Sequence, residues 1–434
     1  MDRLSQIASH LLPTSNTVVD LKSKNPGDVV IVSAYRTAIT KGGRGSFKSL
    51  KSEDILYYLL KKFNDLKIVS PKLVEEITVG NVLNKGAGAN EHRAACLAAG
   101  FPKEVPVLAL NRQCSSGLMA VNDIANKIIA NQIDIGLACG VESMSTFFGP
   151  SAVYQLSDTL SKDKEATKCL IPMGITNENV AEKFGISRKE QDKFSAASYQ
   201  KAEKALKNNL FKNEILSLEI ELEEENDNDD DDDDEDDEND NAEKKVTNKI
   251  KHKLVVDRDE GPRMNVTPES LSKIRPAFKK NGVTHAGNAS QVSDGAALVL
   301  LMKRSVAESL DLKPIGKYIG CVSVGVAPEI MGVGPAYAIP KVLTKFKLSA
   351  DDIKIFEINE AFAAQCLYSI HTCNIPMEKV NPRGGAIALG HPLGATGARQ
   401  VSTLLNQLQD GEIGLTSMCV GSGMGAAALF AKEG

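Results

Sequence analysis

Four side chains in this chain have the chemistry to make or break a carbon–carbon bond beside a thioester: Cys114, Asn359, His391 and Cys419. Cys114 lies in Asn111-Arg112-Gln113-Cys114-Ser115-Ser116-Gly117, between an apolar strand pattern and a helix pattern. A helix start offers unpaired N–H groups and the positive end of the macrodipole. Both favour a thiolate and would lower the thiol below its usual pKa of ~8.5. The same N–H groups suit an oxyanion on an attacked carbonyl. His391 lies in Gly384-Gly385-Ala386-Ile387-Ala388-Leu389-Gly390-His391-Pro392-Leu393-Gly394-Ala395-Thr396-Gly397, whose glycines imply tight turns and close backbone approach. A neutral imidazole there would accept the Cys114 proton. Cys419 is followed by glycines at 421, 423 and 425. Its thiol would act as acid or base at carbon, with the Gly421 N–H available to an oxyanion. Asn359, in Phe356-Glu357-Ile358-Asn359-Glu360-Ala361-Phe362-Ala363, reads equally as a helix N-cap or as an amide holding a water or a carbonyl oxygen. Cys96, Cys139, Cys321, Cys366 and Cys373 read as buried and inert.

The elements that must position these groups alternate. Val29–Val32 reads as a buried strand, and Ser52 as the cap of a helix carrying Ile55, Leu59 and Leu60. Val105–Leu110 predicts a strand, Ser115–Asn131 a helix with Leu118, Val121, Ile124 and Ile128 inward, and Ile133–Ala138 a strand. That succession argues for a parallel α/β layer. The last third repeats the layout, with a strand over 353–358, a helix from Glu360 and another over 394–408. Gly136–Met144 echoes Gly414–Met424, which suggests an internal duplication. Between the halves, 151–275 is polar, with a helical stretch near 190–208.

The net charge of −5 conceals two regions. Residues 219–240 hold 17 of the 56 acidic residues and no Lys or Arg, so the remainder carries 39 acidic against 51 basic residues, a net +12. A basic body suits a polyphosphorylated small molecule. Lys and Arg are scattered and Trp is absent, which argues against nucleic acid. The acidic run repels itself and predicts a disordered insertion at a loop tip over 219–241. No apolar stretch reaches membrane-spanning length. The eight cysteines form no CxxC pair, which argues against a zinc site or a disulfide framework. The glycines around His391 superficially suggest a dinucleotide fingerprint, but His391-Pro392 interrupts it.

At Cys114, Asn359-Glu360-Ala361-Phe362, Gly390-His391-Pro392 and Cys419, in that order, the chain resembles the thiolase family. The resemblance runs from about Val29 to the C-terminus, the acidic stretch excepted. It is closest to the peroxisomal 3-ketoacyl-CoA class, including Pro172-Met173-Gly174 and Arg399-Gln400-Val401. It implies an α/β thiolase fold: duplicated βαβαβαβββ halves in a five-layer αβαβα sandwich with an inserted loop domain that binds coenzyme A. The expected division is a targeting segment over 1–27, a first half over 28–150 with 276–304, a loop domain over 151–275 and a second half over 305–434. Also implied are a homodimer, no metal or bound cofactor, and coenzyme A as co-substrate. Arg263 and Ser290 match positions that contact coenzyme A, and Met173 matches one lining the acyl end. Pro172 stands where biosynthetic acetoacetyl-CoA thiolases usually carry His, which favours longer 3-ketoacyl substrates. The activity implied is thiolysis of 3-ketoacyl-CoA to acetyl-CoA and a shortened acyl-CoA through an acyl-Cys114 intermediate, the last step of β-oxidation.

An acetoacetyl-CoA thiolase is the nearest alternative. Thiolase-fold condensing synthases lack the second catalytic cysteine, so Cys419 argues against them. A papain-type hydrolase runs Cys, His, Asn, whereas Asn359 here precedes His391. A non-catalytic binding protein would use the acidic run for docking. Finally, Arg3-Leu4, five residues and His10-Leu11 would share one helical face. The pattern resembles an N-terminal peroxisomal import signal, which implies an import receptor as partner and a peroxisomal location.

Overall fold

A computed structural model of the chain describes residues 18–149, 155–225 and 249–434. The first half supplies strands β1 (Val29–Arg36), β2 (Thr40–Lys41), β3 (Glu76–Gly80), β4 (Val107–Leu110) and β5 (Ile135–Ser143). Helices α1 (Ser52–Asp65), α2 (Ala89–Ala98) and α3 (Ser116–Ile129) connect them. An excursion follows, with α4 (Met173–Phe184), α5 (Arg188–Lys207) and a hairpin of β6 (Leu218–Glu225) and β7 (Lys249–Val256). β8 (Ser293–Lys303) returns to the first sheet. The second half comprises β9 (Gly316–Gly325), α6 (Gly334–Lys345), β10 (Ile355–Ile358), α7 (Ala363–Thr372), α8 (Thr396–Leu405), β11 (Ile413–Val420) and β12 (Met424–Lys432).

The suspected duplication is visible in the strand order. The first half runs β4-β3-β5-β8-β1, with β3 parallel to β4 and β5, and β8 antiparallel to β5 and β1. The second runs β10-β11-β12-β9, with β10 parallel to β11, and β12 antiparallel to β11 and β9. A parallel bridge from Phe356 to Val380 occupies the place that β4 holds in the first half. β5 and β11, the strands that echo in sequence, therefore hold equivalent places. The half-sheets also meet edge to edge, where Val30 pairs with Lys317 and Ile31 with Gly316.

Three apolar cores separate the layers. Ile55, Leu56, Leu59 and Leu60 of α1 pack with Ile77, Val79 and Leu137 on the outer face of the first sheet. Leu118, Val121 and Ile124 of α3 meet Val401 and Leu404 of α8 between the sheets, against Ile31, Val299 and Met418. Ile339 and Val342 of α6, with Leu367 and Ile370 of α7, cover the second sheet and continue into Tyr199 and Ala202 of α5. Each such side chain contributes about 1.5–3 kcal/mol when fully buried. Every residue of α8 is buried, as a helix enclosed on all sides must be. Every residue of β5 is buried too, in keeping with its continuous rather than alternating apolar run from Ile135 to Val141.

Three expectations change. Residues 219–225 of the acidic run are not disordered: they belong to β6, paired with β7 from Leu218↔Val256 to Glu225↔Lys249. The reason is alternation. Ile220 is fully buried under the sheet, while Glu219 reaches Lys253 at 2.5 Å. The remainder, 226–241, lies outside the described residues. Ser52 does not cap α1. Lys51 does, its N–H held by Asp54 at 3.1 Å, and the buried Ser52 Oγ instead approaches His92 Nε2 at 3.1 Å. Asn359 is not an N-cap either, because α7 begins at Ala363 with Phe362 as its cap.

Candidate active site

Cys114 sits in the tight turn between β4 and α3. Ser115 N and Ser116 N close on the carbonyls of Arg112 and Gln113 at 3.1 and 3.0 Å. Gln113 adopts the left-handed region at φ 48°, which turns the chain sharply into the helix. Gly117 lets α3 approach α8: a Cβ there would stand 2.6 Å from the Gly394 carbonyl oxygen. The starts of the two middle-layer helices thereby lie side by side, one preceded by Cys114 and the other by His391.

The hydrogen bonds of His391 favour one tautomer. With the Thr396 hydroxyl donating to Pro392 O at 3.0 Å, its oxygen is left to accept from His391 Nδ1–H, 2.6 Å away. Nε2 therefore carries the lone pair, and Asn359 Nδ2 faces it at 3.2 Å. Burial, followed by the nearby Arg399 charge, pushes the imidazolium pKa down to about 3. His391 is thus neutral at physiological pH and presents a base.

Asn359 follows β10, its N–H bonded to Ser417 O at 2.8 Å. Its Oδ1 is buried and has no partner among the described residues. Such an orphaned acceptor is costly in a folded protein. Cys419 lies two residues beyond Ser417 on β11, fully buried among Ala289, Met331, Ala361 and Phe362. Burial, and then the neighbouring Cys114 sulfur, push its pKa well up. The Gly421 N–H points at Cys114 Sγ and favours its thiolate. Burial is the larger effect, and the Cys114 pKa rises to about 11. The lowering anticipated from the helix start is therefore overturned. Cys114 keeps some exposure, but the surrounding protein strips its sulfur of enough water to outweigh two backbone N–H groups.

Cys114, Gly421 and Cys419 thus adjoin one another, as do His391 and Asn359. Ser290 adjoins them: its N–H bonds to Ala361 O at 2.9 Å, and the next carbonyl, Gln291 O, accepts His391 N at 3.1 Å. Gln291 Nε2 reaches Gly261 O at 3.0 Å and Ala388 O at 3.0 Å, binding the segment that leads to the exposed Arg263 against the His391 turn. Met173 is 38% exposed at the start of α4. Its neighbour Gly174 lies against Phe278, which meets Phe362 edge-on with centroids 6.2 Å apart. Arg3, Leu4, His10 and Leu11 lie outside the described residues. Among the described residues no cluster of His, Cys, Asp or Glu has the form of a metal site, and no helix is long and apolar enough to cross a membrane.

Sequence reasoning missed Thr396, which fixes the imidazole, and two buried carboxylates. Glu360 accepts from Ser198 Oγ at 2.6 Å and Asn381 Nδ2 at 2.7 Å. Glu142 accepts from the His391 turn through Gly394 N at 2.9 Å. A single charge inside an otherwise apolar strand pattern was the available signal for Glu142.

Known proteins share the fold. The thiolase N-terminal domain matches residues 29–246 and 241–305, and the thiolase C-terminal domain matches 312–432. A peroxisomal 3-ketoacyl-CoA thiolase A of Candida tropicalis is 55% identical over 434 residues, covering 100% of both chains. A peroxisomal 3-ketoacyl-CoA thiolase B of Rattus norvegicus is 47% identical over 447 residues, again covering 100% of both. The crystal structure of the dimeric peroxisomal thiolase of Saccharomyces cerevisiae superposes with a TM-score of 0.85 at 56% identity, covering 96% of this chain and 100% of that one. Two repeated half-sheets, a site assembled where their middle-layer helices begin, and full-length relatives at this identity place the chain in the thiolase family.

Proposed function

We propose that this chain cleaves 3-ketoacyl-CoA with coenzyme A, giving acetyl-CoA and a shortened acyl-CoA, as the last step of peroxisomal β-oxidation. The observation that carries the reading is the pair of adjoining thiols beside the Gly421 N–H, together with a neutral imidazole whose lone pair is on Nε2.

The reaction has two halves. His391 Nε2 takes the Cys114 proton while the sulfur attacks the 3-keto carbon. The shifts of both groups favour the neutral pair in the free enzyme, so proton transfer accompanies attack and no thiolate stands waiting. The C2–C3 bond breaks, and its electrons pass into the thioester enolate of the departing acetyl-CoA. His391 and a water held by Asn359 stabilise that enolate oxygen, which gives the orphaned Oδ1 a partner. The Cys419 thiol protonates C2. A second coenzyme A then attacks the acyl-Cys114 thioester, and Cys419 takes its thiol proton. The Cys114 and Gly421 N–H groups hold the second oxyanion. Cys114 leaves as a thiolate and recovers its proton from His391. Ping-pong kinetics follow from the acyl-enzyme.

Arg263 and Ser290 contact coenzyme A, and Met173 with Pro172 favours longer acyl chains. The chain works as a homodimer without metal or bound cofactor. Arg3, Leu4, His10 and Leu11 are read by the import receptor. Mass spectrometry after brief exposure to 3-ketoacyl-CoA tests the centre of this reading. The acyl group should sit on Cys114 and be absent from Cys114→Ser; acyl transfer to another residue overturns the assignment. Cys419→Ala should slow solvent exchange at C2 of acetyl-CoA by about 100-fold or more, and unchanged exchange removes Cys419 from its role.

A further inference from the structure

We propose that Glu142 is a positioning residue: one buried carboxylate that holds the Cys114 turn and the His391 turn in register. The inference rests on the roles just given to Cys114 and His391.

Glu142 lies near the end of β5 and is fully buried. It accepts four hydrogen bonds. Oε1 receives Asn81 Nδ2 at 3.0 Å and Leu83 N at 3.1 Å. Oε2 receives Val82 N at 3.1 Å and Gly394 N at 2.9 Å. The first three donors belong to the loop after β3. From there the path continues to the nucleophile. Asn111 Nδ2 donates to Val82 O at 3.0 Å, and Asn111 Oδ1 accepts from Gln113 N, next to Cys114, at 2.9 Å. The fourth donor belongs to the other half of the molecule. Gly394 sits inside the turn in which Ala395 N and Thr396 N close on Pro392 O at 2.9 and 3.0 Å. Thr396 in turn holds His391 Nδ1.

Steric contacts press the same junction together. A Cβ on Gly394 would stand 2.6 Å from Val141 O and 2.8 Å from Gly80 O, and one on Gly140 only 2.3 Å from Gly394 O. The backbone of the His391 turn therefore rests directly on β3 and β5, with the Glu142 carboxylate as its polar tie. A carboxylate suits four donors because, when ionised, it only accepts. Burial raises the Glu142 pKa to about 7, and the N–H groups of Leu83, Gly394 and Val82 oppose that rise. An amide at this place would aim its own N–H groups at backbone donors.

The test is single-turnover acylation of Cys114 by 3-ketoacyl-CoA, quenched and read by mass spectrometry. In Glu142→Gln the acylation rate should fall at least about tenfold, while KM for both substrates stays within about twofold. Asn111→Ala cuts the Cys114 arm at an exposed residue, so it reports even if the buried substitution prevents folding. It should slow acylation in the same sense. If both act along one path, the double variant is no slower than Glu142→Gln alone, whereas independent structural losses multiply. Wild-type acylation rates in Asn111→Ala, multiplicative losses, or a loss confined to KM would each overturn the proposal. A wild-type enzyme that carries no acyl group on Cys114 would instead overturn the nucleophile assignment.

Discussion

Thr396→Val isolates the control of the imidazole proposed as the base. Valine keeps the shape and β-branching of threonine but cannot accept from His391 Nδ1–H. Pro392 O remains satisfied, because Ala395 N and residue 396 N still reach it at 2.9 and 3.0 Å. The cost therefore falls on one buried N–H, which is worth about 1–3 kcal/mol when orphaned. The imidazole can escape that cost by moving its proton to Nε2. There the proton would face Asn359 Nδ2, now 3.2 Å from that nitrogen, and would abolish the lone pair that receives the Cys114 proton. A penalty of that size depopulates the productive tautomer by about five- to 150-fold, at 1.36 kcal/mol per tenfold. The expected result is a fall in kcat of that range with KM nearly unchanged. Thr396→Ser, which keeps the hydroxyl, should restore most of it. Nitrogen-15 NMR of the histidine side chains reads the tautomer directly. A valine variant with wild-type kcat, or with its proton still on Nδ1 and a slow rate, refutes this account of Thr396.

Two further outcomes follow from buried charge. Arg36 is fully buried, with Nε 2.7 Å from Glu214 and Nη1 and Nη2 2.6 and 2.9 Å from Asp259. Arg36→Met leaves two carboxylates without their main partner and should destabilise the fold by about 3–5 kcal/mol; a loss below about 1 kcal/mol in urea unfolding would show that the network relaxes around the gap. His92 is also buried, and burial lowers its pKa to about 4. A depressed histidine pKa gives stability that is present above the unfolded value of ~6.5 and lost as pH falls toward 4, roughly 3 kcal/mol over the interval. His92→Gln should lose less stability than the wild type between those pH values, and parallel profiles would place the acid sensitivity elsewhere.

Much of the candidate site was legible because its cysteines and histidine occupy strand ends and glycine-bounded turns, where few other roles suit those residues. Cys114 and His391 each precede a helix of the middle layer, and local pattern suffices to see both. The supporting groups were not legible for a physical reason. Glu142 and Gly394 are 252 residues apart, and only the packing of the two half-sheets reveals the bond between them. The Cys114 pKa went astray in the same way, since a helix start is a local signal and desolvation is a global one. Asn359 reads as a cap or as a functional amide because the chain leaves a strand there, but the helix starts only at Ala363, with Phe362 as its cap. The acidic run conceals its folded beginning, because its total charge hides the apolar alternation of Leu218, Ile220 and Leu222 with glutamates. Duplication was faintly visible in β5 and β11, while the order of the strands emerged only from their pairing.

The hairpin of β6 and β7 closes on the pair Glu225↔Lys249, so the chain leaves and re-enters the body at neighbouring points. Doubling the length of a flexible connection between fixed ends costs only about 0.6 kcal/mol in closure entropy. A tag spliced between β6 and β7 would therefore start and finish where the two strand ends already lie side by side, and its length would add little to the cost of closure.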